Sequence, residues 1–247
     1  DGDLPKGNFV RVVREDKNKQ GLLYAGTELG MYISFDDGDN WQSLRLNLPP
    51  VPITDLMIRQ GDLVVATQGR GFYVMDDIAI FGQISNDQAD KELHLLSPSP
   101  TMMITGRRSG GANEGNNPPN GVILSYHIKE DQEGPLSIEI LDKVGNLVRS
   151  YSSEESDRDR CVIGNMSPRQ KRSLSYPSKS KGMNLWTWDM RRDGILCIDD
   201  VFMFSGWNGA KVMPGEYQAR ISIGDYEETV PVELLPDPRD SATKEEY

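Results

Sequence analysis

Cysteine and histidine are almost missing from this sequence: 247 residues carry two of each, Cys161 and Cys197, His94 and His127. Two isolated cysteines do not make the disulfide scaffold of a small secreted domain, and neither has a neighbour at metal-ligand spacing. They pair only if the segments that carry them meet. Two histidines leave little material for a histidine-rich metal site or a histidine-based triad. Long hydrophobic runs are also lacking. No stretch approaches the roughly 18 apolar residues of a membrane span, and Asp1 opens no recognisable signal peptide. Positive charge is short, with 27 Lys and Arg against 38 Asp and Glu and a net charge of −11. That surplus of carboxylates repels phosphates and disfavours general nucleic-acid binding.

What the chain does have is turn formers, 24 Gly and 15 Pro, beside a hydrophobic fraction of 37%. This describes a turn-rich globular protein and argues against a helical bundle. The length suits one large all-β domain or two ordinary ones.

A repeat organises the first third. Leu22 to Asp36 reads LLYAGTELGMYISFD and Leu63 to Asp77 reads LVVATQGRGFYVMDD. Overlaid without gaps, Gly30 falls on Gly71, Tyr32 on Tyr73, Ala25 on Ala66 and Asp36 on Asp77, an offset of 41 residues. Propeller blades of the WD type repeat every ~40–45 residues, so each unit is blade-sized. Four short apolar runs separated by turns fill each one. The first has Phe9 to Val13, Leu22 to Ala25, Met31 to Phe35 and Trp41 to Leu46; the second has Ile53 to Ile58, Leu63 to Ala66, Phe72 to Met75 and Ile78 to Ile84. Runs of this length between Gly and Asp turns predict strands. Residues 1–84 therefore read as two four-stranded β-propeller blades. Propellers close with about four to eight blades, so two leave apolar faces that a following domain or another copy must cover.

Residues 85–120 are rich in Gly, Pro, Ser and Asn and read as a linker or long loop, tied down in part by Leu93, Leu95 and Leu96. Alternation then becomes clear. Val122, Leu124, Tyr126 and Ile128 share one strand face, Leu136, Ile138 and Ile140 another, and Asp142 to Asn146 turns the chain into Leu147 to Ser152. Trp186, Trp188 and Met190 fall on one face, as do Tyr217, Ala219, Ile221 and Ile223. In the last strand Pro231 marks an edge position, because proline cannot donate to a ladder. Residues 121–236 read as an immunoglobulin-like β-sandwich and 237–247 as a tail.

Ser34-Phe35-Asp36-Asp37-Gly38-Asp39-Asn40-Trp41 matches the Asp-box pattern S-x-D-x-G-x-x-W. Asp36 can accept N–H groups of the turn, Gly38 can adopt positive φ, and Trp41 can fold into the gap between sheets. Burying about 200 Å² of indole at about 25 cal/mol per Å² is worth up to about 5 kcal/mol, more than any hydrogen bond of the turn. Asp36, Asp37 and Asp39 are not spaced as a known calcium loop, so no metal or cofactor is expected. Arg70, between two glycines, is a possible ligand contact or a loop clamp. Trp186 and Trp188 offer either a sugar-stacking platform or core. Asp76/Asp77 and Asp199/Asp200 are adjacent pairs pointing to opposite strand faces, which does not suit joint acid and base work. The basic stretch Arg169, Lys171, Arg172, Lys179 and Lys181 reads as a solvated loop.

The stretch YAGTELGMYISFDDGDNWQSLRLNLPPVPITDLMIRQGDLVVATQGRGFYVMDD resembles the last blades of bacterial Asp-box (BNR-repeat) propellers of the sialidase-like, glycosyl-hydrolase-like group related to sortilin-type propellers. NPPNGVILSYHIKE, LSIEILDKVGNLVRSY, GMNLWTWDMR and MPGEYQARISIGDYEETVPVELLPDPR look like the sandwich that follows the propeller in the same proteins. The resemblance implies a longer parent and an exported protein, periplasmic or at the cell surface. It implies no catalytic residues here: the arginine triad and the Tyr/Glu pair of true sialidases are spread round a complete ring, and no such set is assignable. Asp boxes in that family lie away from the catalytic mouth. The expectation is a non-catalytic interaction or scaffold portion, with carbohydrate or another protein as partner and self-association through open blade faces. The rivals are a piece of a secreted glycoside hydrolase and a small carbohydrate-binding protein.

Overall fold

The computed structural model describes residues 4–5, 7–85, 90–104, 117–166, 175–201, 203 and 206–241. The chain divides into two compact units, Asp1–Ile84 and Ser85–Tyr247, and the protein is all-β apart from short helical segments. Among the described residues no helix is long and apolar enough to cross a membrane.

The first unit contains a four-stranded antiparallel meander, β1 (Val10–Glu15), β2 (Leu23–Thr27), β3 (Met31–Ser34) and β4 (Gln42–Ser43). A three-stranded meander follows, β5 (Ile53–Arg59), β6 (Asp62–Thr67) and β7 (Phe72–Met75). The fourth strand expected over Ile78 to Ile84 is replaced by a helical turn, α1 (Ala79–Gly82). Its cause is local. Asp77 takes φ 49°, Ile78 N–H bonds the Gly61 carbonyl at 2.8 Å, and Ile78 and Phe81 then reach the core together, a spacing that fits a helical turn and not a strand.

The two sheets are copies in detail. Gly26 pairs with Met31 as Ala66 pairs with Phe72, and Leu23 with Ser34 as Leu63 with Met75. Both first strands slip register at the same place, between Val10 and Val12 and between Ile53 and Asp55. Both inner hairpins close alike: Thr27 N–H and Oγ1 reach the Gly30 carbonyl at 2.9 and 2.8 Å, and Thr67 N–H and Oγ1 reach Gly71 at 3.1 and 2.7 Å. The second turn is one residue longer. The ungapped overlay is therefore corrected by one position along β2 and β6, where Ala25 matches Val65 and Thr27 matches Thr67; Met31 still matches Phe72.

The core of this unit joins opposite faces of the copies. Val12, Tyr24, Met31 and Ile33 of the first sheet share one cluster with Leu56, Leu63 and Val65 of the second, with Tyr73 and Met75 packed against it. The positions equivalent to Met31 and Ile33 are Phe72 and Val74, which lie outside, 78% and 56% exposed. A glycine is required at position 26, since a Cβ there would lie 2.5 Å from the Ile53 side chain.

The second unit is built from β8 (Leu93–Leu95), β9 (Thr101–Met102), β10 (Val122–Ile128), β11 (Leu136–Asp142), β12 (Leu147–Ser152), α2 (Asp157–Gly164), β13 (Gly182–Trp188), β14 (Gly215–Ile223) and β15 (Tyr226–Leu235). They form a three-stranded sheet, β13-β10-β8, and a five-stranded sheet, β12-β11-β14-β15-β9, around one apolar core. The alternation read from the sequence supplies that core: Val122, Leu124, Tyr126 and Ile128 face Leu136, Ile138, Ile140, Ala219 and Ile221, all at 0% exposure. Part of the expected linker belongs to the fold, because β8 pairs with β10 and β9 runs parallel to the end of β15. Runs of two or three residues are too short to show a period. Residues 105–116 of that segment lie outside the described residues. Pro231 pairs with Gln218 on one side, while β9 meets β15 only at Leu234 and Leu235, so the proline stands on an open edge. The expected tail begins structured: Asp237 is buried and accepts from Arg239 N–H and Nε at 3.0 and 2.9 Å.

Helix α2 was not legible as one. Ser156 caps it, accepting from Asp159 N–H at 3.1 Å while the Asp159 carboxylate accepts from Ser156 N–H at 2.9 Å. A disulfide joins Cys161 in this helix to Cys197, with Cα atoms 6.1 Å apart.

Candidate functional site

The residues from Ser34 to Trp41 form a hydrogen-bonded turn. Ser34 Oγ donates to Asp36 Oδ1 at 2.8 Å and accepts from Gly38 N–H at 2.9 Å. Asn40 donates twice to Asp36, from its N–H at 2.8 Å and from its side chain at 2.6 Å. Asp37 and Gly38 adopt φ 58° and 92°, the left-handed conformation that Gly accepts at least cost. The bonds from Asn40 and Ser34 lower the Asp36 pKa, so the carboxylate is a structural acceptor with its oxygens committed. The second unit repeats the device at Asp142, whose oxygens take the N–H and the side chain of Asn146, both at 2.9 Å. Trp41 bonds the Gly38 carbonyl through Nε1 at 3.0 Å. It is half-buried over its own turn and does not enter the cluster between the sheets. The expectation that it fills that gap is corrected.

The other singled-out residues separate. Arg70 is exposed, and among the described residues it makes no hydrogen bond or ion pair; Thr67 clamps its loop instead. Trp188 is fully buried, with Nε1 bonding the Arg191 carbonyl at 3.0 Å and its ring edge-on to Tyr217 at 5.4 Å. It is core and offers no ring face to a ligand. Lys179 bonds the Gly134 carbonyl and Lys181 pairs with Glu130, both at 2.8 Å, while Arg169, Lys171 and Arg172 lie outside the described residues.

Trp186 is different, because it lines a cleft of about 660 Å³ in the second unit. The cleft forms beside the edge strands β12 and β13 of the two sheets. Arg149 pairs with the core residue Ile140, Tyr151 with Ile138, and Trp186 with Leu124, so all three point inward at those edges. There the Tyr151 and Trp186 rings meet edge to face at 5.1 Å, and the Arg149 guanidinium lies 4.9 Å from the Tyr151 ring centre. Arg149 Nη1 donates to the Arg192 carbonyl at 3.0 Å, and Tyr151 Oη lies 3.4 Å from Asp189 Oδ1. Burial first, then the Asp189 charge, raises the Tyr151 pKa, so the phenol stays protonated. Tyr176 and several serines complete the lining, and Leu196, beside the disulfide, stands at one wall. Arg149, Tyr151 and Tyr176 were not singled out from sequence. The readable signal was that Arg149 shares its strand parity with the aromatic Tyr151.

The sequence matches no family model and no curated protein. Among solved structures it is similar to the extracellular domain of a hybrid two-component system protein, BT4673, from B. thetaiotaomicron, at TM-score 0.24 and 12% identity over 94% of this chain and 26% of that one. A second structure of the BT4673 extracellular domain, described as a one-component system, gives TM-score 0.23 and 10% identity with the same coverage. The chain thus spans about a quarter of those proteins, and a likeness this distant assigns neither fold nor function.

Proposed function

We propose that this chain is a non-catalytic interaction portion of an exported protein, in which the first unit is a pair of blades from an Asp-box β-propeller and the second an immunoglobulin-like sandwich. The observation that carries the reading is the stacking sense of the two copies. A ring of blades sets each sheet's leading face on its neighbour's trailing face, whereas a closed two-sheet sandwich brings inner faces together and leaves none over. The pairing of the Met31 face with the Tyr73 face, and the bare Phe72 face beyond, has the first character.

Two further features support it. The Asp36 carboxylate is engaged by its own turn. The joined cysteines suit an oxidising compartment such as the periplasm or the cell exterior. The test is hydrolysis: the purified chain, incubated with fluorogenic glycosides including sialosides, is expected to release no fluorophore above the blank. Saturable turnover, abolished by substituting a carboxylate of this chain, would overturn the reading in favour of a glycoside hydrolase.

A further inference from the structure

We propose that the cleft between the β12 and β13 edges binds a neutral saccharide; this rests on the non-catalytic interaction reading and names the ligand. The cleft's size lies within the ~300–1,000 Å³ typical of small-ligand sites. Its lining combines aromatic rings with hydroxyls. Trp186 is half-buried in it and Tyr176 is 38% exposed, while Ser137, Ser150, Ser152 and Ser175 supply hydroxyls that both donate and accept. A sugar ring presents the complement, an apolar C–H face for the aromatic surface and a rim of hydroxyls for the serines.

The charges choose neutral over acidic sugars. Among the described residues, Glu139, Asp159 and Asp193 line the cleft against one cation, Arg149. That arginine is spent on the Arg192 carbonyl and lies 3.8 Å from Asp193. Glu139 is held by Arg220 at 2.8 Å and Asp159 by Ser156. Among the described residues no cation is left to meet a ligand carboxylate, and the net charge of −11 opposes its approach.

Isothermal titration of the full chain with neutral oligosaccharides (cello-, xylo-, malto- and manno-oligomers), with sialyllactose, with oligogalacturonate and with a serine-rich peptide tests the proposal. The expected result is binding of at least one neutral series and no binding of the acidic sugars or the peptide. Tyr176→Ala should weaken that binding by about three- to tenfold, and so should Trp186→Phe, which replaces the indole by a smaller ring and removes part of the aromatic surface. Unfolding curves run alongside show whether each variant is folded; if Trp186→Phe is not, the rim variant Tyr176→Ala decides. No neutral binding at millimolar sugar, binding of acidic sugar or peptide alone, or binding unchanged in the folded variants would each overturn the cleft. Chromatography of the titrated sugar separates the two claims, since cleavage products would sink the non-catalytic reading whether or not the cleft binds.

Discussion

Met31 and Phe72 occupy the same place in successive sheets, opposite Gly26 and Ala66, yet Met31 is 3% exposed and Phe72 is 78% exposed. The difference comes from which face of each copy is turned to its neighbour. Val74 and Met57, 56% and 59% exposed, extend the bare face around Phe72. An apolar sheet face of this kind is a site of association or an aggregation liability.

Met31→Ala and Phe72→Ser should therefore differ although the positions are equivalent. The first removes a buried side chain and should cost about 2–5 kcal/mol, read as a lower urea midpoint. The second should change stability by no more than about 0.5 kcal/mol. Sedimentation velocity should show weaker concentration-dependent self-association in Phe72→Ser than in the parent. Equal stability losses at both positions would mean that Phe72 is covered in solution.

How far the sequence carried this structure follows from where its signals are dense. Alternation over six or more residues placed the inward residues of β10, β11 and β14, because most buried side chains there alternate with polar ones, with Ile123 and Leu141 as the apolar exceptions. The repeat was visible, but the extra residue in the Thr67–Gly71 turn was not, since an ungapped overlay hides a one-residue insertion behind small residues that match by chance. β8 and β9 are too short to carry a period, and Ile78 to Ile84 is apolar enough to suit either strand or helix. The cleft was half legible. Trp186 and Trp188 look identical in sequence, and only their places along β13, one by the cleft and one in the core, separate them.

Asp36→Asn tests the turn that the motif builds. The folded pKa of Asp36 is lowered, through Asn40 and then Ser34, so its contribution is full above the unfolded carboxylate value and is lost as pH falls through the folded one. Asn keeps an acceptor and removes the charge. The gap in urea midpoint between parent and variant should be largest near neutrality and close progressively in acid. A gap independent of pH would assign the effect to shape and not to charge.

Glu228 should behave alike in the second unit. Burial works to raise its pKa, but Lys91 at 2.6 Å, Leu95 N–H at 2.7 Å and His94 Nδ1 at 3.1 Å outweigh it, and the net shift is downward. His94 and His127, the only histidines, are cross-strand partners there. Glu228→Gln is expected to cost about 1 kcal/mol at neutral pH, allowing for solvent screening of a partly exposed group. The deficit should fade as the parent's own carboxylate protonates, and thermal unfolding at a series of pH values would follow it.

The disulfide should stabilise the second unit by holding together parts of the chain 36 residues apart. Closing a loop of that length is worth about 3–4 kcal/mol in the chain-entropy account. Cys161→Ser combined with Cys197→Ser should lower the urea midpoint of this unit by a corresponding amount, and reductant should do the same to the parent while leaving the variant unchanged. Asn165 Nδ2 still donates to the Ile198 carbonyl at 2.8 Å, so α2 keeps one tie to the neighbouring segment after the bond is cut. The loss should therefore arise mainly in the unfolded chain, with the circular dichroism of the folded variant close to that of the parent. A variant as stable as the parent would mean that the unfolded chain already holds these two segments close.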